Sequence, residues 1–208
     1  MKRGIIRVGG KAKRGETGGY ANAPDGFITL PIISKGKKPY NELSPFFLGP
    51  IDDKSSNLTC EIFENFWQFS KVYEKISKVE IKKKISGVNK TIWKQTEEIH
   101  AKKNSKDEWE IQKEWFEWRK KGFECKYPLR HPNGTVRKNG PPIFSFYNNE
   151  CLNYIDSRKK IYLPIYKELV KKEIVYKDIL NQVKKGQNIL LIVKLNYFFF
   201  LIIFSSGC

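Results

Sequence analysis

The chain has 208 residues, of which 40% are hydrophobic and 14% aromatic, so it can bury the core of one domain and extensive disorder is excluded. The 39 Lys and Arg residues against 22 Asp and Glu give a net charge of +17, which favours polyanionic partners. Lysine, a solvated point charge, supplies most of that excess, so a basic surface without a specific partner is the alternative interpretation.

Cysteine and histidine usage argues against a zinc site. The cysteines are widely spaced without a C-x-x-C pair, and the chain has only two histidines. No apolar segment near the start is typical of a secretory signal. The sequence therefore predicts a cytoplasmic protein with free thiols and no cofactor.

Residues 1–26 are glycine-rich and basic and predict a flexible N-terminal arm, with an edge strand at 4–8. Their glycines do not complete the G-x-x-x-x-G-K-[ST] pattern of a P-loop. Residues 27–33 predict a further strand, near a sheet edge because Pro31 interrupts it.

Two amphipathic helices are predicted in the middle of the chain. The first covers about 63–77, with Phe63, Phe66, Trp67, Ser70 and Tyr73 along one face. The second covers 107–121 and is followed by Gly122 as a C-cap. Between them, the lysine-rich stretch 78–106 predicts a solvated helix or a surface excursion, and is a possible insertion.

The last third predicts a strand at 142–147, a helical region at 158–185 that breaks near Pro164 and stops at Gly186, and an interior strand at 189–193. The segment 130–134 is interpreted as a turn, with phosphate binding by Arg130 and His131 as the alternative. The apolar tail 195–208 is too short to span a bilayer. A core strand, an altered terminus and a weak membrane-surface anchor remain as its interpretations.

The strongest candidate for chemistry is Glu64. Its aromatic neighbours can desolvate it and raise its pKa towards the range useful for acid–base work. Gln68 and Lys71 follow on the same helical stripe, so the three side chains can address one ligand. The loop 43–50 precedes them and offers aromatic faces for stacking a base. The alternative is a surface Glu paired with lysines above a core helix.

The two segments together resemble the NADAR (YbiA-like) N-glycosidase superfamily. Its loop L-S-N-F-Y…P-I is matched by Leu43-Ser44-Pro45-Phe46 and Pro50-Ile51, and its helix V-E-H-x-[YF]-Q-x-x-K by Phe63-Glu64, Gln68 and Lys71. Pro45 and Asn65 depart from the loop Asn and the helix His. The resemblance implies one α+β domain over 27–194, mainly helical with a small sheet.

The resemblance also implies hydrolysis of a ribose–nitrogen bond in an ADP-ribosyl adduct or a phosphorylated ribosyl metabolite, without a metal. Glu64 would stabilise the oxocarbenium-like transition state, and Lys71 would bind phosphate or the leaving base. Gln68 would orient a ribose hydroxyl or water. Substrate binding would fall to the remaining candidates, Ser44, Phe46, Phe47, Trp67, Asp156 and Arg158. Trp109 is a further candidate for the aromatic residue that the family carries later in its chain.

Two other functions stay open at this point. A non-catalytic basic protein would bind nucleic acid through 1–38, 71–103 and 158–185, and its binding would weaken steeply with salt. A tail-anchored protein would need residues 195–208 for lipid binding. We expect no membrane partner, and the sequence does not indicate an oligomeric state.

Overall fold

The computed structural model describes residues 2–10, 24–34, 36–76, 97–129 and 140–193. Four predicted features lie wholly or partly outside these residues: the basic loop within 1–26, most of the stretch 78–106, the turn at 130–134 and the tail 195–208. The chain divides into two compact units, one made of Met1–Leu48 and Leu163–Cys208 and the other of Gly49–Tyr162.

The elements follow one another in this order: β1 (Ile6–Gly10), β2 (Phe27–Pro31), a 3-10 helix (Tyr40–Leu43), β3 (Ile51–Asp53), β4 (Leu58–Cys60), α1 (Phe63–Phe69), β5 (Lys71–Val72), β6 (Lys75–Ile76), β7 (Glu98–Ile99), β8 (Ala101–Lys103), β9 (Trp109–Ile111), α2 (Lys113–Phe123), β10 (Phe144–Tyr147), β11 (Glu150–Leu152), α3 (Tyr154–Ser157), a π-helix (Arg158–Tyr162), α4 (Leu163–Lys172), α5 (Ile174–Lys184) and β12 (Asn188–Val193).

The first unit is built around a parallel sheet with the order β1-β12-β2. Its central strand β12 buries the whole apolar run 189–193, as a strand covered on both faces requires. Ile189 pairs with Ile6 on one side and with Ile28 on the other. The predicted interior strand and both predicted edge strands are therefore confirmed, and Pro31 lies at the end of its edge strand.

The predicted helical region at 158–185 is confirmed, but its break lies elsewhere. Near Pro164 the chain stays helical, because the π-helix Arg158–Tyr162 leads directly into α4 at Leu163. The chain leaves helical geometry at Glu173, between α4 and α5. The stop after α5 lies where the sequence predicts it. Gly186 has φ +93°, a left-handed conformation that glycine adopts without strain.

The second unit contains an antiparallel sheet with the order β11-β10-β5 and three two-stranded antiparallel sheets, β3–β4, β6–β7 and β8–β9. The predicted α+β class is confirmed. The description "mainly helical with a small sheet" is corrected, because the described residues distribute their strands over several small sheets.

The hairpin β8–β9 replaces helix that the sequence predicts from 107. The Asn104 side-chain oxygen accepts hydrogen bonds from the backbone N–H groups of Lys106 and Glu108, and Asp107 has φ +63°. This turn chemistry holds 109–111 in a strand and delays the start of α2 to Lys113. It also gives strands, not helix, to the described end of the stretch 78–106.

Helices α1 and α2 pack closely where Gly122 meets Phe69. A Cβ atom added to Gly122 would lie 2.1 Å from Cδ1 of Phe69. Gly122 therefore lies inside α2 as a packing residue, and the predicted C-cap role is wrong because the helix continues to Phe123.

Candidate functional site

Helix α1 carries the candidate carboxylate and is shorter than predicted. Its residues Phe63, Phe66 and Trp67 are buried, as the predicted apolar face requires. The helix ends because Ser70 Oγ donates to the carbonyl of Trp67 at 2.9 Å and the chain then enters β5. Lys71 therefore extends from a strand that pairs with β10.

Glu64, Gln68 and Lys71 are joined in a chain of hydrogen bonds. Gln68 Nε2 donates to Glu64 Oε1 at 2.9 Å, and Lys71 Nζ donates to Gln68 Oε1 at 2.8 Å. Glu64 is only 6% exposed. The sequence expectation that these three side chains converge is confirmed, although Lys71 reaches the group from β5.

Burial changes the acid–base behaviour of Lys71. Loss of solvation lowers the pKa of its ammonium from 10.5 to about 8. The nearby Glu64 carboxylate opposes this shift, and the Arg158 guanidinium adds to it. Lys71 is thus a cation that can release a proton close to neutral pH.

Arg158 places a second cation against the same indole ring. Its guanidinium carbon lies 5.4 Å from the Trp67 ring centroid, and Lys71 Nζ lies 5.1 Å from it. Arg158 is buried and also lies 4.7 Å from the ring centroid of Tyr162. Such contacts stabilise cations that have lost water.

We call this group the Glu64 cluster: Glu64, Trp67, Gln68, Lys71, Arg158, Tyr154 and Tyr162. The indole of Trp67 is 5% exposed, and the Tyr162 ring lies edge-on to it at 5.2 Å. The predicted role of Trp67 in stacking a base is therefore corrected. With both cations against it and almost no exposed area, this ring holds Lys71 and Arg158 in place.

Two tyrosines of the cluster were missed by sequence reasoning. Tyr154 Oη accepts from Arg158 Nε at 3.2 Å and from Nη2 at 3.1 Å. Tyr162 is buried, and its burial together with the charge of Glu64 raises the pKa of its phenol, which keeps it protonated. The spacing Tyr-x-x-x-Arg-x-x-x-Tyr was the available signal, since residues four apart are neighbours on a helix.

Asp156 lies near Arg158 in sequence, and its hydrogen bonds are to Asn153, the N-cap residue of α3. Its backbone N–H donates to Asn153 Oδ1 at 2.8 Å, and its Oδ2 accepts from Asn153 Nδ2 at 2.7 Å. This reciprocal pair caps the helix, and the substrate-binding role of Asp156 stays a prediction. Trp109 lies on β9 with Lys103 Nζ 5.6 Å from its ring centroid, in a surface hairpin.

The predicted loop residues belong to the first unit. Ser44 is buried and ends the 3-10 helix, with its N–H bonded to the carbonyl of Asn41. Phe46 is half-buried, and Phe47 is 55% exposed. The Tyr166 hydroxyl fixes the start of this loop by donating to the carbonyl of Leu43 at 2.6 Å.

Asn65, at the position of the family's His, has a structural role. Its Nδ2 donates to the carbonyls of Cys125 and Tyr127 at 3.1 and 2.8 Å, and its Oδ1 accepts from the N–H of Leu129 at 2.7 Å. The side chain is completely buried. It therefore anchors the segment after α2 to α1 and contributes no acid or base.

Within the part of the chain that the structure describes, no group of three or more His, Cys, Asp or Glu side chains is arranged to hold a metal ion. Nor does any helix among these residues have the length and apolar character needed to cross a membrane.

Comparison with protein-family models, with curated proteins and with solved structures finds no match to this chain. The resemblance to the NADAR superfamily therefore stays a prediction.

Proposed function

We propose that this protein is an N-glycosidase-like hydrolase that cleaves a ribose–nitrogen bond in an ADP-ribosyl adduct or a nucleotide-like metabolite. The observation that carries the proposal is the buried carboxylate of Glu64, held by Gln68 and accompanied by the Lys71 and Arg158 cations. The sequence resemblance supports the same reaction class.

Glu64 is the central group of the proposed mechanism. Departure of a nitrogen base leaves positive charge on the ribose ring, and a carboxylate close to C1′ stabilises that charge. The same carboxylate accepts a proton from the attacking water. Because Gln68 Nε2 fixes Oε1, the carboxylate keeps one orientation throughout.

Lys71 donates a proton to the departing nitrogen. Its pKa of about 8 keeps it mainly protonated at neutral pH while making it a stronger acid than an ordinary lysine. One of its three N–H groups is used by Gln68, which leaves others for the leaving base. In this scheme Gln68 is a positioning residue between the acid and the carboxylate, since both ends of its amide are engaged.

Arg158 binds a phosphate of the substrate. A guanidinium offers two parallel N–H donors, and its Nε and Nη2 meet at one oxygen of Tyr154. A phosphate oxygen pair would take the place of that phenol. Substrates with a 5′-phosphate or diphosphate next to the ribose fit this arrangement.

A panel assay tests the proposal. Release of free base or ADP-ribose would be followed from ADP-ribosylated DNA, NAD and a phosphorylated riboflavin precursor, with wild type and Glu64→Gln compared. Hydrolysis of one substrate that falls at least about 100-fold in the variant is the expected result. Absence of turnover on the whole panel by a protein that still binds these ligands would contradict it. Salt-sensitive binding of nucleic acid alone, unchanged in Glu64→Gln, would favour a non-catalytic basic protein.

A further inference from the structure

A concave site lies in the unit Gly49–Tyr162, and none of its lining residues belongs to the Glu64 cluster. It is a cleft of about 460 Å³ between α2, the turn after β3 and the hairpin β10–β11. This volume lies in the range of small-ligand pockets.

The floor of the cleft is a buried ion pair. Arg119 is 3% exposed, and its Nη2 lies 2.6 Å from Oδ2 of Asp53. Both partners are fixed, because Arg119 also packs between aromatic rings, 4.8 Å from the centroid of Phe123 and 5.3 Å from that of Trp115. Among the described residues, no hydrogen-bond acceptor lies within reach of the Arg119 Nε–H.

Two serine hydroxyls at the cleft already donate their protons to Asp53, which limits the hydrogen bonds that they can make with a ligand. Ser55 Oγ donates to Asp53 Oδ1 at 2.8 Å, and Ser56 Oγ donates to Asp53 Oδ2 at 2.6 Å. Each hydroxyl has one proton, and both are used. The serine oxygens therefore have only lone pairs to offer and favour a ligand that carries an N–H donor.

The wall of the cleft is aromatic. Phe116 lies on α2 and is 48% exposed, so much of its ring is open to a ligand. Phe146 lies beside it, with ring centroids 6.4 Å apart and planes at 87°. An exposed phenyl face next to polar groups suits the flat face of a ring with polar edges.

The charges around the cleft cancel. Asp53 and Glu117 balance Arg119 and Lys120, all of which lie at the cleft or beneath it. The site therefore selects its ligand by shape and hydrogen bonding, and it does not favour a phosphate chain.

We propose that this cleft binds a nucleobase that carries an exocyclic amino group. Its ring would stack on Phe116, and its amino group would donate to the serine oxygens. This site is independent of the hydrolase proposed for the Glu64 cluster.

The test is isothermal titration of the full-length protein with adenosine and with purine riboside, which lacks the amino group. Adenosine is a small neutral ligand, and we expect it to bind with a Kd of about 1 mM. Purine riboside should bind more weakly. Phe116→Ala should weaken adenosine binding at least about fivefold, as loss of one stacking ring does. The matched control is Tyr127→Ala, which removes an aromatic ring of similar exposure (53%) outside the cleft and should change nothing.

Several outcomes would overturn the proposal. Adenosine binding that is unchanged in Phe116→Ala would place the nucleoside elsewhere. Equal affinity for adenosine and purine riboside would remove the role of the serine oxygens. Competition by inorganic phosphate, or no saturable binding at millimolar adenosine, would equally contradict it.

Discussion

Replacing Lys71 with Met tests whether the cluster keeps a cation at a cost to stability. The ammonium is desolvated, and its pKa falls from 10.5 to about 8. Met has similar length and no charge, so it removes the buried charge while filling the space next to Trp67. Charged side chains whose burial lowers the free energy of unfolding are typical of functional sites.

The magnitude follows from the two pKa values. A difference of about 2.5 between them corresponds to about 3 kcal/mol, at 1.36 kcal/mol for each unit. Below pH 8 both the folded and the unfolded protein hold the proton, and the penalty is present in full. Between pH 8 and 10.5 the folded protein releases its proton while the unfolded chain retains it, so the free energy of unfolding rises with pH.

The assay is urea unfolding of wild type and Lys71→Met at pH 7 and at pH 10.5. From pH 7 to pH 10.5, the free energy of unfolding of wild type should rise by about 3 kcal/mol relative to that of the variant. Lost contacts to Gln68 and Trp67 act at both pH values and leave this difference unchanged. Lys75→Met, which removes an exposed lysine, is the control for net charge. A difference that stays constant with pH would refute both the lowered pKa and the acid role of Lys71.

Three further changes have defined outcomes. His100 is completely buried and its pKa is lowered to about 4, so between pH 6.5 and pH 4 only the unfolded chain takes up a proton at this position. Over this range the free energy of unfolding of wild type should fall by about 3 kcal/mol relative to that of His100→Phe. Unfolding free energies of the two proteins that change in parallel with pH would contradict this. Tyr154→Phe removes the oxygen that accepts hydrogen bonds from Arg158 Nε and Nη2, so ADP-ribose should bind about tenfold more tightly when measured by titration. Weaker binding would instead mean that Tyr154 positions Arg158. Gly122→Ala should lower the free energy of unfolding by about 1–3 kcal/mol because the added methyl group clashes with Phe69, and a neutral effect in urea would show that the two helices can separate without cost.

The parts of the fold that the sequence predicts are those with one dominant local signal. The apolar run 189–193 requires cover on both faces and forms the central strand β12. Gly186 supplies the left-handed residue that ends α5. The helical spacing of Glu64 and Gln68 brings their side chains together.

The errors occur where a distant partner or a side-chain hydrogen bond overrides the local pattern. Periodicity extends α1 to about 77, but Ser70 and the pairing of Lys71 with Ser145 end it after Phe69. The hairpin turn at Asn104 converts predicted helix into β9 in the same way. Tertiary pairing of this kind overrides helix propensity.

The cleft and the Glu64 cluster show the same limit. At the cleft, Asp53 and Arg119 are 66 residues apart in sequence, and no motif links them. Trp67 presents a suitable ring for stacking in the sequence, but its burial against two cations is a property of the packed unit.

The most direct test of the central claim is the rate of base release by Glu64→Gln relative to wild type, on the substrate that wild type turns over fastest. The amide keeps an oxygen to accept from Gln68, so the cluster should stay assembled, and unfolding curves would verify this. Glu61→Gln, which alters an exposed carboxylate paired with Lys126, is the matched control. We predict a loss of at least about 100-fold for Glu64→Gln and wild-type rates for the control. Full activity of a folded Glu64→Gln protein would contradict the account.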